Sequence, residues 1–224
     1  MDLIREQFPI VIHSLNIGFL QTLKLFFVTL IGALPLGLVI SFGTTSRFKP
    51  VRAVINTIVW LFRGTPLMIQ LLIIYYFPGL VLHNPVWGGG ETGRFTAAAV
   101  SFILNYACYF AVIYRGGIQS VPKGQEEAGL VLGMTKRQIF CRIKLMQMIK
   151  NIVPPMSNEI ITLVKDTSMA FVLAYAEMFT IAKQIAARVS SIMPLFVAGL
   201  FYYIFNFVVA LIMERIEKKL SYYK

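Results

Sequence analysis

Five apolar stretches, each long enough to cross a lipid bilayer as a helix, constrain what this chain can fold into. They cover residues 15–42, 54–80, 95–114, 151–175 and 194–213. A transmembrane helix needs about 20 predominantly apolar residues, and in lipid a helix satisfies its own backbone hydrogen bonds. The sequence therefore predicts an all-α integral membrane protein with five transmembrane helices in one domain, covering residues 14–219.

The composition supports a membrane protein over a soluble one. Hydrophobic residues make up 57% of the chain and charged residues 14%, whereas soluble domains carry about 25% charge. The net charge of +11 raises the question of nucleic acid. The basic residues cluster between the apolar stretches, where membrane topology places them. We therefore expect a lipid membrane and no nucleic acid as the partner.

The basic clusters also predict the orientation of the chain. Residues 43–53 hold three basic residues and no acid, and residues 115–150 hold seven basic residues and two acids. Short loops rich in Lys and Arg lie on the cytoplasmic side. Five spans then place the N-terminus outside and the C-terminus in the cytoplasm. Residues 176–193 read as an amphipathic segment on the outer surface, although they carry two bases and one acid.

The second span is interrupted by Arg63, Gly64, Thr65 and Pro66. Gly lacks a Cβ atom, and Pro lacks an N–H and disfavours helical geometry in the residue before it. We expect a broken helix with freed carbonyls near Arg63. Two placements remain open: Arg63 faces the protein interior at this break, or it lies at the cytoplasmic interface and the span begins at Thr65.

The fourth span carries the most polar side chains, namely Asn158, Glu159, Thr162, Lys165 and Asp166. On a helix, residues 159, 162 and 166 share one side and residues 158 and 165 flank it. Ionisable residues at membrane depth usually face a bundle interior or a watery cavity and mark a transport route. The alternative is an internal network in which Lys165 pairs with Asp166 or Glu159 and only holds helices together.

The basic loop at residues 116–150 predicts helices of its own. Glu126 and Glu127 fall in the first turn of a short helix, where acids complement the helix dipole. Gly129 and Gly133 lie four residues apart on one face, which lets another backbone approach, and Met134 ends this helix. Residues 135–138 then form a T-x-x-Q capping box that starts a second helix.

Motifs for catalysis are absent from the sequence. It contains no G-x-x-x-x-G-K-[ST] run, no H-E-x-x-H and no G-x-S-x-G, and His13 and His83 are isolated. Cys108 lies in an apolar stretch and Cys141 in the basic loop, so we expect neither a disulfide nor a metal site. We expect that this chain is not an enzyme and has no catalytic residues, no metal and no cofactor.

The basic loop resembles a known family. Glu127, Ala128 and Gly129, with Gly133 four residues later and Ile143 and Leu145 downstream, resemble the "EAA" loop of ABC importer permeases. Other segments resemble the polar amino acid branch of that family, the histidine/glutamine type: residues 63–66, 115–118, 123–128, 158–159 and 165–168. Two positions depart from the family pattern, with Met146 in place of a proline and Val112 in place of a common acid.

The resemblance implies a type I ABC importer permease fold in a bacterial inner or plasma membrane. It implies a second permease subunit, identical or related, together with cytoplasmic ABC ATPase subunits that bind ATP and Mg²⁺ and an extracytoplasmic amino acid-binding protein. The ATPase would dock on a coupling helix formed by Glu126, Glu127, Ala128, Gly129 and Gly133. The substrate pathway would hold Arg63, Asn158, Glu159, Thr162, Lys165 and Asp166.

The expected function is therefore that of the membrane permease subunit of an ATP-driven amino acid uptake transporter. The rival is a channel or secondary transporter without an ATPase partner. Secondary transporters often show internal repeats or matched broken helices, and the sequence shows neither clearly. A scaffold that only anchors a partner leaves the polar fourth span unexplained.

Overall fold

The computed structural model describes the backbone of residues 2–220 and the side chains of residues 9 and 11–220. These residues form helices and turns, and no strand occurs among them. The helices are α1 (Asp2–Thr44), α2 (Lys49–Gly64), α3 (Leu67–Leu80), α4 (Gly90–Gln119), α5 (Lys123–Val131), α6 (Lys136–Ile139), α7 (Leu145–Asp166), α8 (Met178–Val189) and α9 (Met193–Leu220). A π-helical segment, Phe140–Lys144, joins α6 to α7, and a 3₁₀ segment, Thr167–Leu173, follows α7.

Three of the described helices are long and apolar enough to cross a membrane alone: α1 over Val11–Thr44, α4 and α9. Two further spans require bent pairs. One pair is α2 with α3, bent by 111°, and the other is Lys136–Leu173 with α8, bent by 57°. Counting each pair as one span gives up to five. The all-helical membrane fold expected from the sequence is confirmed.

Helix α4 forms the centre of the molecule. In its most apolar stretch 61% of the residues are buried, against 33% in α1 and 11% in α9. Phe102, Tyr106 and Phe110 of α4 are buried in a core shared with α1, α3, α7 and the 3₁₀ segment. Helix α9 instead leaves large apolar side chains exposed along its length, as a helix at the lipid boundary does.

The predicted break in the second span is confirmed. Helix α2 ends at Gly64, the Thr65 backbone is extended, and Pro66 precedes the first residue of α3. The 111° bend at this point is too sharp for a simple kink. It leaves the last carbonyls of α2 without partners within the helix.

Residue Glu177 does not lie on the outer surface, where the sequence placed the whole of residues 176–193. Its side chain is fully buried at the start of α8. The carboxylate accepts hydrogen bonds from the Thr180 and Phe179 N–H groups at 2.6 and 2.7 Å and from the Tyr202 hydroxyl at 3.0 Å. Glu177 therefore caps the helix, because orphan N–H groups at a helix start need an acceptor. The basic residues of α8 are exposed as expected.

Candidate functional site

Helix α5 is a nine-residue helix that leaves most of its side chains exposed. Glu126 lies in its first turn, as predicted, and Glu127 and Ala128 are exposed. At the other end the exposed fractions are large for apolar side chains: 50% for Leu130, 87% for Val131 and 78% for Leu132. An exposed apolar patch with charged residues at its edge marks an interaction surface.

The end of α5 depends on Gly133. The helix stops at Val131 rather than at Met134, because Gly133 adopts a left-handed conformation with φ of 73°. The Gly133 N–H donates to the Leu130 carbonyl and the Met134 N–H to the Gly129 carbonyl, both at 3.0 Å. These two bonds form a Schellman motif, which satisfies carbonyls at the helix end and turns the chain sharply.

Residue Gly129 lets the following helix pack directly against α5. A Cβ atom added there would lie 2.8 Å from Cγ1 of Ile139 and 3.4 Å from Cδ1 of Ile143. The capping box predicted at the start of this second helix is confirmed. The Thr135 N–H donates to Oε1 of Gln138 at 2.8 Å, and the Gln138 N–H donates to Oγ1 of Thr135 at 3.3 Å.

Two side-chain contacts attach α5 to the helical run that leads into α7. Lys144 forms an ion pair with Glu126, and Gln147 Nε2 donates to Oε1 of Gln125 at 2.7 Å. The hydrogen bond from Lys144, together with its positive charge, lowers the pKa of the Glu126 carboxyl from its ordinary value. Eighteen residues separate Glu126 from Lys144, so no helical spacing in the sequence indicated this pair.

The break between α2 and α3 is stabilised by Gln70, a buried residue of α3. Its Nε2 donates to the Phe62 carbonyl at 2.7 Å, to the Thr65 carbonyl at 3.0 Å and to Oγ1 of Thr65 at 2.8 Å. Asn105 of α4 donates to Oε1 of Gln70 at 2.9 Å. One amide side chain, which α4 holds in place, thus satisfies the Phe62 and Thr65 carbonyls, and the Thr65 hydroxyl donates to the Leu61 carbonyl at 2.9 Å.

Helix α4 also supplies partners to Asp166 and Arg63. The Tyr106 hydroxyl donates to Oδ2 of Asp166 at 2.7 Å. The Arg63 guanidinium lies over the Tyr109 ring, 5.1 Å from its centroid. An aromatic face attracts a cation and supports it where water is scarce. The break at Arg63 and the end of α7 therefore face the same side of α4.

The structure brings together only part of the predicted substrate pathway. Glu159 and Thr162 are both half-buried on α7. Asn158 instead lines a groove between α7 and α9. Lys165 is exposed, and within the described residues no ion pair joins it to Asp166 or Glu159. The roles of these residues stay predictions.

Sequence reasoning did not identify two residues that organise this region, Gln70 and Tyr106. Gln70 carried a signal, since it is the only amide in the apolar sequence of α3. An amide in such a helix needs partners, and the nearby break supplies them. Tyr106 carried no signal, because nothing in the sequence relates it to Asp166, 60 residues later.

The chain is similar to a known family of transport proteins. Residues 33–222 match the family described as the binding-protein-dependent transport system inner membrane component. The chain belongs to this family. It is therefore a membrane permease of the ABC importer class, and the resemblance in its basic loop is confirmed.

Curated relatives cover almost the whole chain. The L-cystine transport system permease protein of Bacillus subtilis is 37% identical over 227 residues, which cover 99% of this chain and 92% of the relative. The arginine transport system permease protein of the same organism is 36% identical over 216 residues, covering 96% and 94%. The solved structure of an amino acid ABC transporter with histidines superposes with a TM-score of 0.81 at 29% identity, covering 92% and 94%.

Proposed function

We propose that this chain is the membrane-spanning permease subunit of an ATP-driven amino acid uptake transporter and forms its translocation pathway. The observation that carries the proposal is the exposed helix α5, attached to α7 through Lys144 and Gln147, in a chain whose relatives are amino acid permeases. A short helix fixed to a membrane span can transmit the movement of a docked partner to that span.

Hydrolysis of ATP takes place in separate cytoplasmic ABC subunits that hold ATP and Mg²⁺. The sequence supports this division, because it has no phosphate-binding loop. These subunits dock on α5, where Glu126, Glu127, Ala128, Gly129 and Gly133 form the coupling helix and its turn. The apolar patch at Leu130, Val131 and Leu132 supplies the buried area of the contact.

The substrate pathway runs along the side of α4 that faces the α2–α3 break and the end of α7. An amino acid is a zwitterion, so its route offers both signs of charge. Arg63 supplies the positive charge, and Glu159 and Asp166 supply the negative charges. Asn158, Thr162 and Lys165 contribute polar groups along α7.

The remaining partners follow from the family. A second permease subunit, identical or related, completes the pathway, and an extracytoplasmic amino acid-binding protein delivers the substrate. The chain lies in the bacterial cell membrane, with its N-terminus outside and its C-terminus in the cytoplasm. This orientation places α5 and its basic neighbours inside the cell, where the ATPase is.

The pathway is tested by uptake into proteoliposomes that contain the permease, its ATPase partner and the binding protein. Glu159→Ala and Asp166→Ala are each expected to reduce ATP-driven uptake at least tenfold while the complex still assembles. Lys183→Ala, an exposed position on α8, is the control and is expected to transport normally. Unchanged uptake by both acidic variants refutes the pathway assignment.

Docking through α5 is tested by charge reversal. Glu127→Lys is expected to abolish uptake and co-purification of the ATPase while membrane insertion stays normal, because Glu127 is exposed and has no structural partner to lose among the described residues. Glu127→Gln is the neutral control and is expected to keep part of the activity. Normal uptake by the lysine variant counts against docking, and uptake without any ATPase identifies a secondary transporter or channel.

A further inference from the structure

A cavity of about 390 Å³ lies between α2 and α4, next to the break at the end of α2. Its volume falls within the range of small-molecule sites, about 300–1,000 Å³. Its wall includes Asn56, Thr57, Trp60, Arg63, Val112 and Arg115. All of these side chains except Val112 carry a hydrogen-bond donor, and Val112 and the Trp60 ring supply apolar surface.

The charge in this cavity is one-sided. Arg63 and Arg115 both line it, and none of the described residues in its wall carries a carboxylate. Arg115 donates to Oδ1 of Asn56 at 3.2 Å, a neutral acceptor. The Arg63 guanidinium lies over the Tyr109 ring, and no ion pair joins it to Glu159 within the part of the chain that the structure describes.

Two guanidinium groups that line one cavity repel each other unless an anion accompanies them. A guanidinium offers a fork of N–H donors that matches a carboxylate in two parallel hydrogen bonds. Arg63 and Arg115 together therefore match a ligand with two carboxylates.

We propose that this cavity is a substrate-selectivity site that binds amino acids carrying two carboxylates and disfavours cationic ones. The inference rests on the proposed function, since it assigns a substrate class to the same importer. Arg63 and Arg115 bind the carboxylates, and Asn56 and Thr57 contribute neutral polar contacts. Glu159, a half-buried carboxylate of α7, favours the substrate ammonium group.

The carboxylates of an amino acid fit this cavity better than a lipid phosphate does. A phosphatidylglycerol headgroup carries one phosphate, which leaves one guanidinium without a partner. The apolar wall formed by Trp60 and Val112 matches the methylene groups between two carboxylates.

Trp60 provides a direct signal from the cavity, because the chain contains only one other tryptophan. The permease with its ATPase partner, in nanodiscs of phosphatidylcholine, is titrated with L-glutamate, L-cystine, L-glutamine and L-lysine while tryptophan fluorescence is recorded. We expect a saturable change with glutamate or cystine and one at least tenfold weaker with glutamine and lysine. The change disappears in Trp60→Phe, which retains Trp87.

The matched variants are Val112→Glu and Val112→Gln, which add similar bulk to the cavity wall and differ in charge. A carboxylate at position 112 neutralises the guanidinium pair. Val112→Glu is therefore expected to weaken the glutamate or cystine response roughly tenfold or more and to create a lysine response. Val112→Gln is expected to keep the preference for two carboxylates.

Three results of the fluorescence titrations overturn the inference. They are a lysine or glutamine response equal to the dicarboxylate response, an equal response to inorganic sulfate, and loss of the dicarboxylate response when phosphatidylglycerol replaces phosphatidylcholine. The last result assigns the site to lipid. ATP-driven uptake of lysine by the reconstituted system would preserve the importer function and still overturn this site. Absence of uptake for every amino acid would instead overturn the proposed function.

Discussion

Tyr106 donates a hydrogen bond of 2.7 Å to Oδ2 of Asp166, and this contact joins the centre of α4 to the last turn of α7. Tyr106 is 2% exposed, so its hydroxyl is held by the core around it. The ring packs against Phe102 and Phe110 of the same helix. The position of the Asp166 carboxylate is therefore set by a rigid aromatic group on the most buried helix.

Tyr106→Phe is expected to destabilise the protein by about 1.5–3 kcal/mol, the usual range for a hydrogen bond to a charged group. The ring and its packing remain, so the loss reports the hydroxyl alone. Thermal unfolding in mild detergent, followed by size-exclusion chromatography, measures the change. Asp166→Asn is the control, because its side-chain oxygen still accepts from Tyr106, and we expect it to unfold closer to wild type. Equal melting temperatures for Tyr106→Phe and wild type contradict this prediction.

Gln70→Leu is expected to destabilise the break between α2 and α3. It removes the Gln70 donor to the Phe62 and Thr65 carbonyls and leaves Asn105 with only its 3.4 Å hydrogen bond to the Phe62 carbonyl. Each buried group left unsatisfied costs about 1–3 kcal/mol. Thermal unfolding should show a larger loss than in Asn105→Ala, which removes its hydrogen bonds to Gln70 at 2.9 Å and to the Phe62 carbonyl at 3.4 Å and leaves those of Gln70 to the carbonyls. A smaller loss in Gln70→Leu than in Asn105→Ala would show that water satisfies the break.

The break between α2 and α3 was predictable from the sequence, whereas the role of Gln70 in stabilising it was not. Arg63, Gly64 and Pro66 predicted the interruption of α2 from local sequence alone. The backbone preferences of Gly and Pro, and the missing N–H of Pro, depend on only one or two residues. The same holds for the capping box at Thr135. The 111° bend at the break and the position of its amide partner depend on where α3 and α4 meet. No local sequence pattern encodes that contact between helices.

The polar face of α7 was only partly predictable for the same reason. The spacing of Glu159, Thr162 and Asp166 follows from the helix period. It does not tell which neighbouring helix each residue meets, so Tyr106 was missed, and the groove that Asn158 lines with α9 was not foreseen. The family resemblance identified α5, whereas its attachment to Lys144 depends on the path of the chain between them.

Lys144→Met is expected to loosen α5 from α7, because it leaves Glu126 without its cation. The pair is partly exposed, and exposed ion pairs contribute little. We therefore expect only a few-fold faster hydrogen exchange in the amides of α5. The double variant Glu126→Lys with Lys144→Glu is expected to restore the slow exchange. Fast exchange in the double variant, as in the single one, would show that the charges do not hold the helix.

The ion pair between Glu126 and Lys144 is expected to make hydrogen exchange in α5 depend on pH. The pKa of Glu126 is lowered by Lys144, so the contact is complete above the ordinary glutamate pKa and is lost as the pH falls through the lowered value. The exchange difference between wild type and Lys144→Met should therefore be present at neutral pH. It should vanish well below the ordinary glutamate pKa of about 4.3. A difference that persists at such acidity would assign the contact to the Lys144 methylene groups.

Gly133→Ala is expected to destabilise the turn after α5 by about 1–2 kcal/mol, the cost of a left-handed conformation for a residue with a Cβ atom. No atom lies within 4 Å of the Cβ position, so the cost is conformational and not a clash. Gly133→Asn is the matched control, because asparagine tolerates this conformation better.

Hydrogen exchange at the Gly133 and Met134 amides, which close the turn, should rise in the alanine variant and stay close to wild type in the asparagine variant. ATP-driven uptake should fall in the same order, since the turn sets the angle at which α5 meets its partner. Faster exchange in the asparagine variant than in the alanine variant would show that φ at this position does not limit the turn.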